Sequence, residues 1–282
     1  MNLLMYPWVD AFLALSLIFL TRYLIKLGVR SFRDHSSNTS LNSNLKHIIK
    51  HHVFSKELKD INLSKRCIIN TINPHSYCVS KKDAQFKEAL LQSDYLMPDG
   101  VGIVLASKVL YGKSIKKIAG ADVHDYLLKY AYNNNKKVFY LGASNNTLKL
   151  IEDKLKHTLP NMSIGSYSPP YKPEFSVKDS IKMIAAVNAF KPDILFIGMT
   201  APKQEKWLNT YKAQLHFTVA TSIGAVFDFY AGTVKRSSPF WIKLGLEWLP
   251  RLLKEPKRLW KRNLVSTPLF LLNLSIAKLN LE

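Results

Sequence analysis

Asp99 is the carboxylate best placed for chemistry. It stands between a proline and a glycine in Asp94-Tyr95-Leu96-Met97-Pro98-Asp99-Gly100-Val101-Gly102, just before the apolar stretch Ile103 to Leu110. It reads in two ways: as a turn or N-cap residue, or as a general base held at a strand end. Thr71 and Asn73 close a second apolar run, Arg66 to His75, with side chains that donate and accept hydrogen bonds. Pro74 then stops the ladder. A third run, Asp193 to Thr200, empties into Ala201-Pro202-Lys203-Gln204-Glu205-Lys206-Trp207, so Lys203, Gln204 and Glu205 gather just past a strand that is apolar on both faces. The plainer reading there is a solvated loop ahead of a capped helix. In a fourth run, Lys137 to Asn145, Gly142 and Ser144 lie between strand and helix. A nucleotide's ribose or phosphate approaches backbone in that layout, although a full G-x-G-x-x-G is missing.

These residues share one position: each follows a β-branched or aromatic apolar run and precedes helical periodicity. A fifth such run spans Phe217 to Phe229. Helices are expected over Asp83–Gln92, Asp122–Asn133, Thr147–His157, Lys178–Phe190 and Pro202–Lys212. Strand and helix alternate, which predicts an α/β fold with a largely parallel sheet. Ligands of such sheets collect at the carboxyl ends of the strands, where all these residues fall.

The motifs, in order, are Thr71-x-Asn73, Pro98-Asp99-Gly100-x-Gly102, Gly120-x-Asp122, Leu141-Gly142, Ser168-Pro169-Pro170-Tyr171, Ala201-Pro202-Lys203-Gln204-Glu205-x-Trp207, Gly224-Ala225-x-Phe227-Asp228, Ala231-Gly232 and Gly245-Leu246-Glu247-Trp248-Leu249. Over roughly residues 60–263 the chain thereby resembles the WecG/TagA/CpsF bacterial glycosyltransferases, glycosyltransferase family 26. The resemblance implies a Rossmann-like core that moves a sugar from a UDP-sugar donor to a polyprenyl-diphosphate-linked acceptor on the cytoplasmic face of a bacterial membrane. It points first to N-acetylmannosamine or its uronic acid as the sugar and N-acetylglucosamine as the acceptor sugar, with glucose or another hexose as the capsule-type alternative. It assigns Asp99 as the base and gives Thr71 and Asn73 an orienting role. One departure is Lys117, where the family usually carries Arg: the charge stays but the bidentate fork is lost.

Composition narrows the partners. Forty Lys and Arg against twenty Asp and Glu leave a formal charge of +20, which implies an anionic partner. Between Lys235 and Glu282 ten basic residues face three acidic ones, interleaved with Trp241, Trp248, Trp260 and many leucines. That pattern suits a membrane interface with anionic lipids. No nucleic-acid reader motif or stacking platform accompanies it, so nucleic acid is not an expected partner. Trp8 to Leu20 is apolar apart from Asp10 and Ser16, and Arg22, Lys26 and Arg30 follow. Its uninterrupted part falls short of the ~20 residues that span a bilayer, so it reads as a tilted or re-entrant anchor, or as a helix packed on the domain. The expected organisation is a membrane-associating helix over 1–34, an α/β core over 45–240 and a basic amphipathic appendage over 241–282. Cys67 and Cys78 form neither a disulfide framework nor a metal site.

For transfer from a UDP-sugar, the acceptor hydroxyl must lose a proton as it attacks, and the leaving diphosphate must be neutralised. No Asp-x-Asp occurs in the chain, so neither metal nor cofactor is expected. Lys203 is expected near the diphosphate and Gln204 beside the substrate, with Glu205 in the same cluster. Arg251, Arg258 and Arg262 are expected to supply charge from the appendage, which the resemblance implies closes over the site. His75 and His124 read as structural residues, and Asp228 as either a structural acceptor or a sugar contact. A nicotinamide-dependent oxidoreductase would explain the α/β alternation but lacks the third glycine and the acidic residue. A basic adaptor would explain the charge but not the polar strand ends.

Overall fold

The computed structural model describes residues 38–235, 237–238, 240–241 and 247–279. Six strands form one parallel sheet in the order β2-β1-β6-β5-β3-β4. They are β1 Cys67–Ile72, β2 Tyr95–Pro98, β3 Val138–Gly142, β4 Ile164–Tyr167, β5 Ile194–Gly198 and β6 Val219–Ser222. Every residue of β3, β5 and β6 is buried, as strands covered on both faces require.

The helices are α1 Asn38–His51, α2 Pro74–Ser80, α3 Ala84–Leu91, α4 Val101–Tyr111, α5 Gly120–Asn133, α6 Asn145–Thr158, α7 Val177–Phe190, α8 Lys203–Tyr211 and α9 Val226–Ala231. After them come α10 Trp248–Lys254, α11 Pro256–Trp260, a π-helical turn Lys261–Ser266 and α12 Thr267–Leu279. Alternation along the strands sorts them into two layers. Ile69, Tyr140 and Phe196 pack with α5, α6 and α9, and Ile68, Leu141 and Ile197 with α7 and α8. The helices that leave neighbouring strands β3 and β5 therefore run to opposite faces, and so do those that leave β1 and β6. Such divergence opens crevices at the carboxyl ends of the strands.

Two elements escape sequence patterning for physical reasons. Strand β4 is a short edge strand, half-exposed throughout and carrying Gly165 and Ser166, so it has no apolar run to betray it. Helix α2 starts on Pro74, which ends the strand and also occupies the first helical position, where its missing N–H costs nothing.

The carboxyl-terminal helix is part of the core. Phe270, Leu274 and Ala277 of α12 are buried with Leu45 and Ile48 of α1, Ile72 of β1 and Leu96 of β2, and Phe270 meets the Tyr77 ring edge-on at 5.4 Å. Truncating such a phenylalanine costs about 3–5 kcal/mol. The other flank of this segment is open: Leu253, Trp260, Leu264 and Val265 are exposed beside exposed Lys254, Lys257 and Lys261. Among the described residues no helix is long and apolar enough to cross a membrane. The Trp8–Leu20 run lies outside the described residues.

Candidate active site

Asp99 follows the last residue of β2 and extends the sheet by one rung, its N–H donating to Ile72 O at 2.9 Å. Gly100 then turns the chain into α4 at φ +88° and ψ 157°, a region open essentially to glycine alone. Asn73 sits one strand over. Its Oδ1 caps α2 by accepting from His75 N and Ser76 N, both at 3.0 Å. With the oxygen committed, the amide nitrogen is the end that faces Asp99, to which it donates a hydrogen bond. Thr71, half-buried, lies two residues upstream in β1, level with Met97.

Cations approach from two sides. Ile118 N donates to Pro98 O at 3.0 Å, which brings Lys117 beside Asp99. Lys117 Nζ also pairs with Glu247 Oε2 at 3.2 Å, with both side chains about one-fifth exposed. Arg262, on the π turn, acts on both Asp99 and His75. His75 Nδ1 meets Ser266 Oγ at 2.9 Å, and Cys78 Sγ donates to Ser266 O at 3.4 Å. Loss of hydration pushes the Asp99 carboxyl above its ordinary value, and Glu247 adds to this. Arg262, Lys117 and the Asn73 amide pull it back without cancelling the rise. The result is a partly accessible carboxylate with a raised proton affinity and cations around it, which can accept a proton from a nearby hydroxyl.

The exit of β5 is organised differently. Gln204 is buried and spent on internal bonds: Oε1 accepts from Met199 N at 3.1 Å and Nε2 donates to Glu205 Oε1 at 2.8 Å. Burial raises the Glu205 carboxyl to about 7, and its Oε2 has no partner among the described residues. Lys203 donates to Lys172 O at 2.6 Å and lies over the Phe175 ring at 4.4 Å. Ser144 caps α6 through Thr147 N at 3.1 Å. A side chain at Gly142 would meet Gly198 O at 2.5 Å, so glycine there lets the two strand ends close on one another. Asp228 carries the turn after α9, its backbone carbonyl accepting from Val234 N at 3.2 Å.

The expected residues thus separate into two groups. Asp99, Asn73 and Arg262 come together, with Lys117, Glu247 and His75 beside them. Lys203, Gln204 and Glu205 brace the β5 exit, and Arg251 lies over the Phe229 ring at 4.9 Å. The side chain of Arg258 lies outside the described residues. His75 was read from sequence as a bland turn residue; nothing local to it signals a helix that returns from the far end of the chain. Glu247 was visible only as part of the Gly245–Leu249 motif. His124 is buried, its Nε2 meeting Tyr140 Oη at 2.9 Å, and burial lowers it to about 4. Among the described residues no three His, Cys, Asp or Glu side chains converge as metal ligands.

Comparison with known proteins points the same way. The model of the glycosyl transferase WecG/TagA/CpsF family matches residues 40–282. The N-acetylglucosaminyldiphosphoundecaprenol N-acetyl-beta-D-mannosaminyltransferase of Bacillus subtilis strain 168 is 31% identical over 227 residues, covering 80% of this chain and 83% of the relative. The protein of the same name from Bacillus spizizenii is 33% identical over 202 residues, covering 71% and 76%. That from Staphylococcus aureus strain MW2 is 32% identical over 210 residues, covering 74% and 80%.

Proposed function

Since the chain belongs to the WecG/TagA/CpsF glycosyl transferase family, we propose that it moves N-acetylmannosamine from UDP to a polyprenyl-diphosphate-linked N-acetylglucosamine, with inversion and without a metal. The observation that carries this reading is the meeting of Asp99, Asn73 and Arg262 at the carboxyl ends of β1 and β2. The relatives' names supply the sugar and the acceptor.

In this reading Asp99 takes the proton of the acceptor hydroxyl as its oxygen bonds the anomeric carbon, and the bond from that carbon to the diphosphate oxygen breaks. Asn73 holds the carboxylate in place, and Thr71 lies near enough along β1 to orient a sugar hydroxyl. Arg262 neutralises the departing diphosphate, the task a metal held by Asp-x-Asp would otherwise perform. Lys117 is the second cation within reach of the same space. The β1/β6 and β3/β5 crevices lie two strand spacings apart, ~10 Å, a span that a nucleoside diphosphate can bridge. Gly142, whose strand end closes on Gly198, then lies where the nucleotide passes.

The acceptor's polyprenyl chain fixes the workplace at a bilayer. Leu253, Trp260, Leu264 and Val265, with Lys254, Lys257 and Lys261 around them, form the face that docks on anionic lipid. Because UDP-sugars are cytoplasmic, that is the cytoplasmic face.

The test is a donor screen with polyprenyl-diphosphate-N-acetylglucosamine as acceptor, scored by released UDP. UDP-N-acetylmannosamine should turn over fastest. Preference for UDP-glucose would move the protein to the hexose-transferring reading, and release of UDP from no donor would refute the assignment.

A further inference from the structure

We propose that His75 and Ser266 form a latch that aims Arg262 at Asp99, making both positioning residues of the transfer reaction. The inference rests on the proposed function in that it takes the Arg262–Asp99 space as the reacting site.

From Pro256 to Leu279 the chain is one helical rod interrupted only by the π turn Lys261–Ser266. Its far end is fixed, since Phe270, Leu274 and Ala277 are buried against α1 and the sheet. Its near end is held more lightly: Leu259 is buried, but Trp260 and Leu264 are exposed. Ser266 is the buried residue of the π turn, and Arg262 lies four residues from it, about one turn further out. The direction of Arg262 therefore depends on how the rod is fixed at Ser266.

Two contacts fix it there. Ser266 Oγ meets His75 Nδ1 at 2.9 Å, and Ser266 O accepts from Cys78 Sγ at 3.4 Å. The thiol is a weak donor, which leaves the imidazole as the main tie. Residues 262, 266, 270 and 274 are spaced by four, and in an α-helix each such step overshoots a full turn by ~40°. The wider π turn takes in an additional residue and offsets part of that drift, which keeps Arg262 on the face that Ser266 and Phe270 present to the core. At the other end of the tie, His75 is fixed by Asn73, which caps its backbone N–H and also bonds Asp99. One short path, Asp99 to Asn73 to His75 to Ser266 to Arg262, thus links the base to the cation.

The charge environment suits a latch that works with a neutral ring. Burial and then the Arg262 cation hold His75 below its ordinary value. The groups that act on it are Arg262 and Ser266 on the rod.

A double-mutant cycle separates a latch from a generic packing role. Ser266→Ala should lower kcat/KM by about three- to tenfold, the yield of one hydrogen bond. In an Arg262→Ala background the same change should have no further effect, because the latch acts only through that arginine. His75→Asn, which can keep a polar partner for Ser266, should retain most activity where His75→Leu does not. Equal losses from Ser266→Ala in both backgrounds, or none in the wild type, would overturn the proposal. A second measurement needs no substrate: the His75 imidazole, followed by NMR, should titrate at higher pH in Arg262→Ala than in wild type. An unmoved titration overturns the proximity on which the latch depends. If that titration moves but wild-type protein turns over no UDP-sugar, the substrate assignment fails and the latch geometry stands. If turnover is seen and the cycle is additive, the latch alone fails.

Discussion

Replacing Glu205 by glutamine should stabilise the protein, and increasingly so as pH rises. The carboxyl is buried, bonded through one oxygen to Gln204 Nε2, and raised from 4.5 to about 7. Its folded-state value lies above its unfolded one, so between those two pH values the native state binds more protons than the unfolded state. Stability therefore falls as pH climbs from 4.5 to 7 and levels off above 7. At ~1.4 kcal/mol per unit the full cost is about 3 kcal/mol at pH 8, against about 1 kcal/mol at pH 5. Glutamine keeps an oxygen for Gln204 and carries no proton to lose, so it escapes this cost. Urea unfolding of the two proteins at pH 5 and pH 8 should show the advantage of Glu205→Gln growing by roughly 2 kcal/mol, or by roughly 4–8 °C in melting temperature. A gap that stays constant between the two pH values, or a glutamine variant that is less stable at pH 8, would refute the burial argument.

Asp99→Asn should lower transfer by about 100- to 10,000-fold while melting temperature and UDP affinity stay near wild type; retention of more than about a tenth of the rate would reduce Asp99 to a cap. Because the Asp99 carboxyl is raised above its ordinary value, kcat/KM of wild type should fall on the acid side at a pH above the usual carboxylate range, and a profile flat down to pH 4 would remove the general base. Turnover should survive EDTA, and a rate lost to chelator and restored by magnesium or manganese would overturn neutralisation by side chains. Changing Lys254, Lys257 and Lys261 together to glutamine should weaken binding to phosphatidylserine vesicles by roughly 100-fold, at about 1 kcal/mol per charge, while turnover of a soluble acceptor is spared; unchanged sedimentation with vesicles would place the lipid contact elsewhere.

Legibility from sequence followed the range of the interactions involved. Strands β3 and β5 announce themselves as apolar runs because burial on both faces leaves no polar positions, β1 and β6 keep enough apolar residues to read as strands despite Asn70, Thr221 and Ser222, and helices such as α6 and α7 carry their own periodicity. Asp99 and Asn73 were legible as residues because strand ends and caps have local signatures. What Asp99 faces was not. Glu247 and Lys117 reach it through tertiary packing that no spacing along the chain encodes, and Arg262 is expected there only through the family resemblance. Gln204 and Glu205 show the converse: their polarity beside a strand end is legible in the sequence, but their burial, with Gln204 bonded to Met199 N and Glu205 to Gln204, is not.

The pairing of α1 with α12 carries a consequence for synthesis. Leu45, Ile48 and Ile49 of α1 leave the ribosome well before Phe270, Leu274 and Ala277, which pack against them. Until α12 has been made, that apolar stripe waits without this part of its cover, in the condition that invites aggregation or chaperone capture. Contacts so distant along the chain also form slowly, because the loop they close must lose its freedom first. Arg262 lies on the π turn just ahead of α12, so the docking of that helix also fixes the segment that carries it. Ribosome-bound chains stalled before Thr267 should accordingly be readily cleaved by protease within α1.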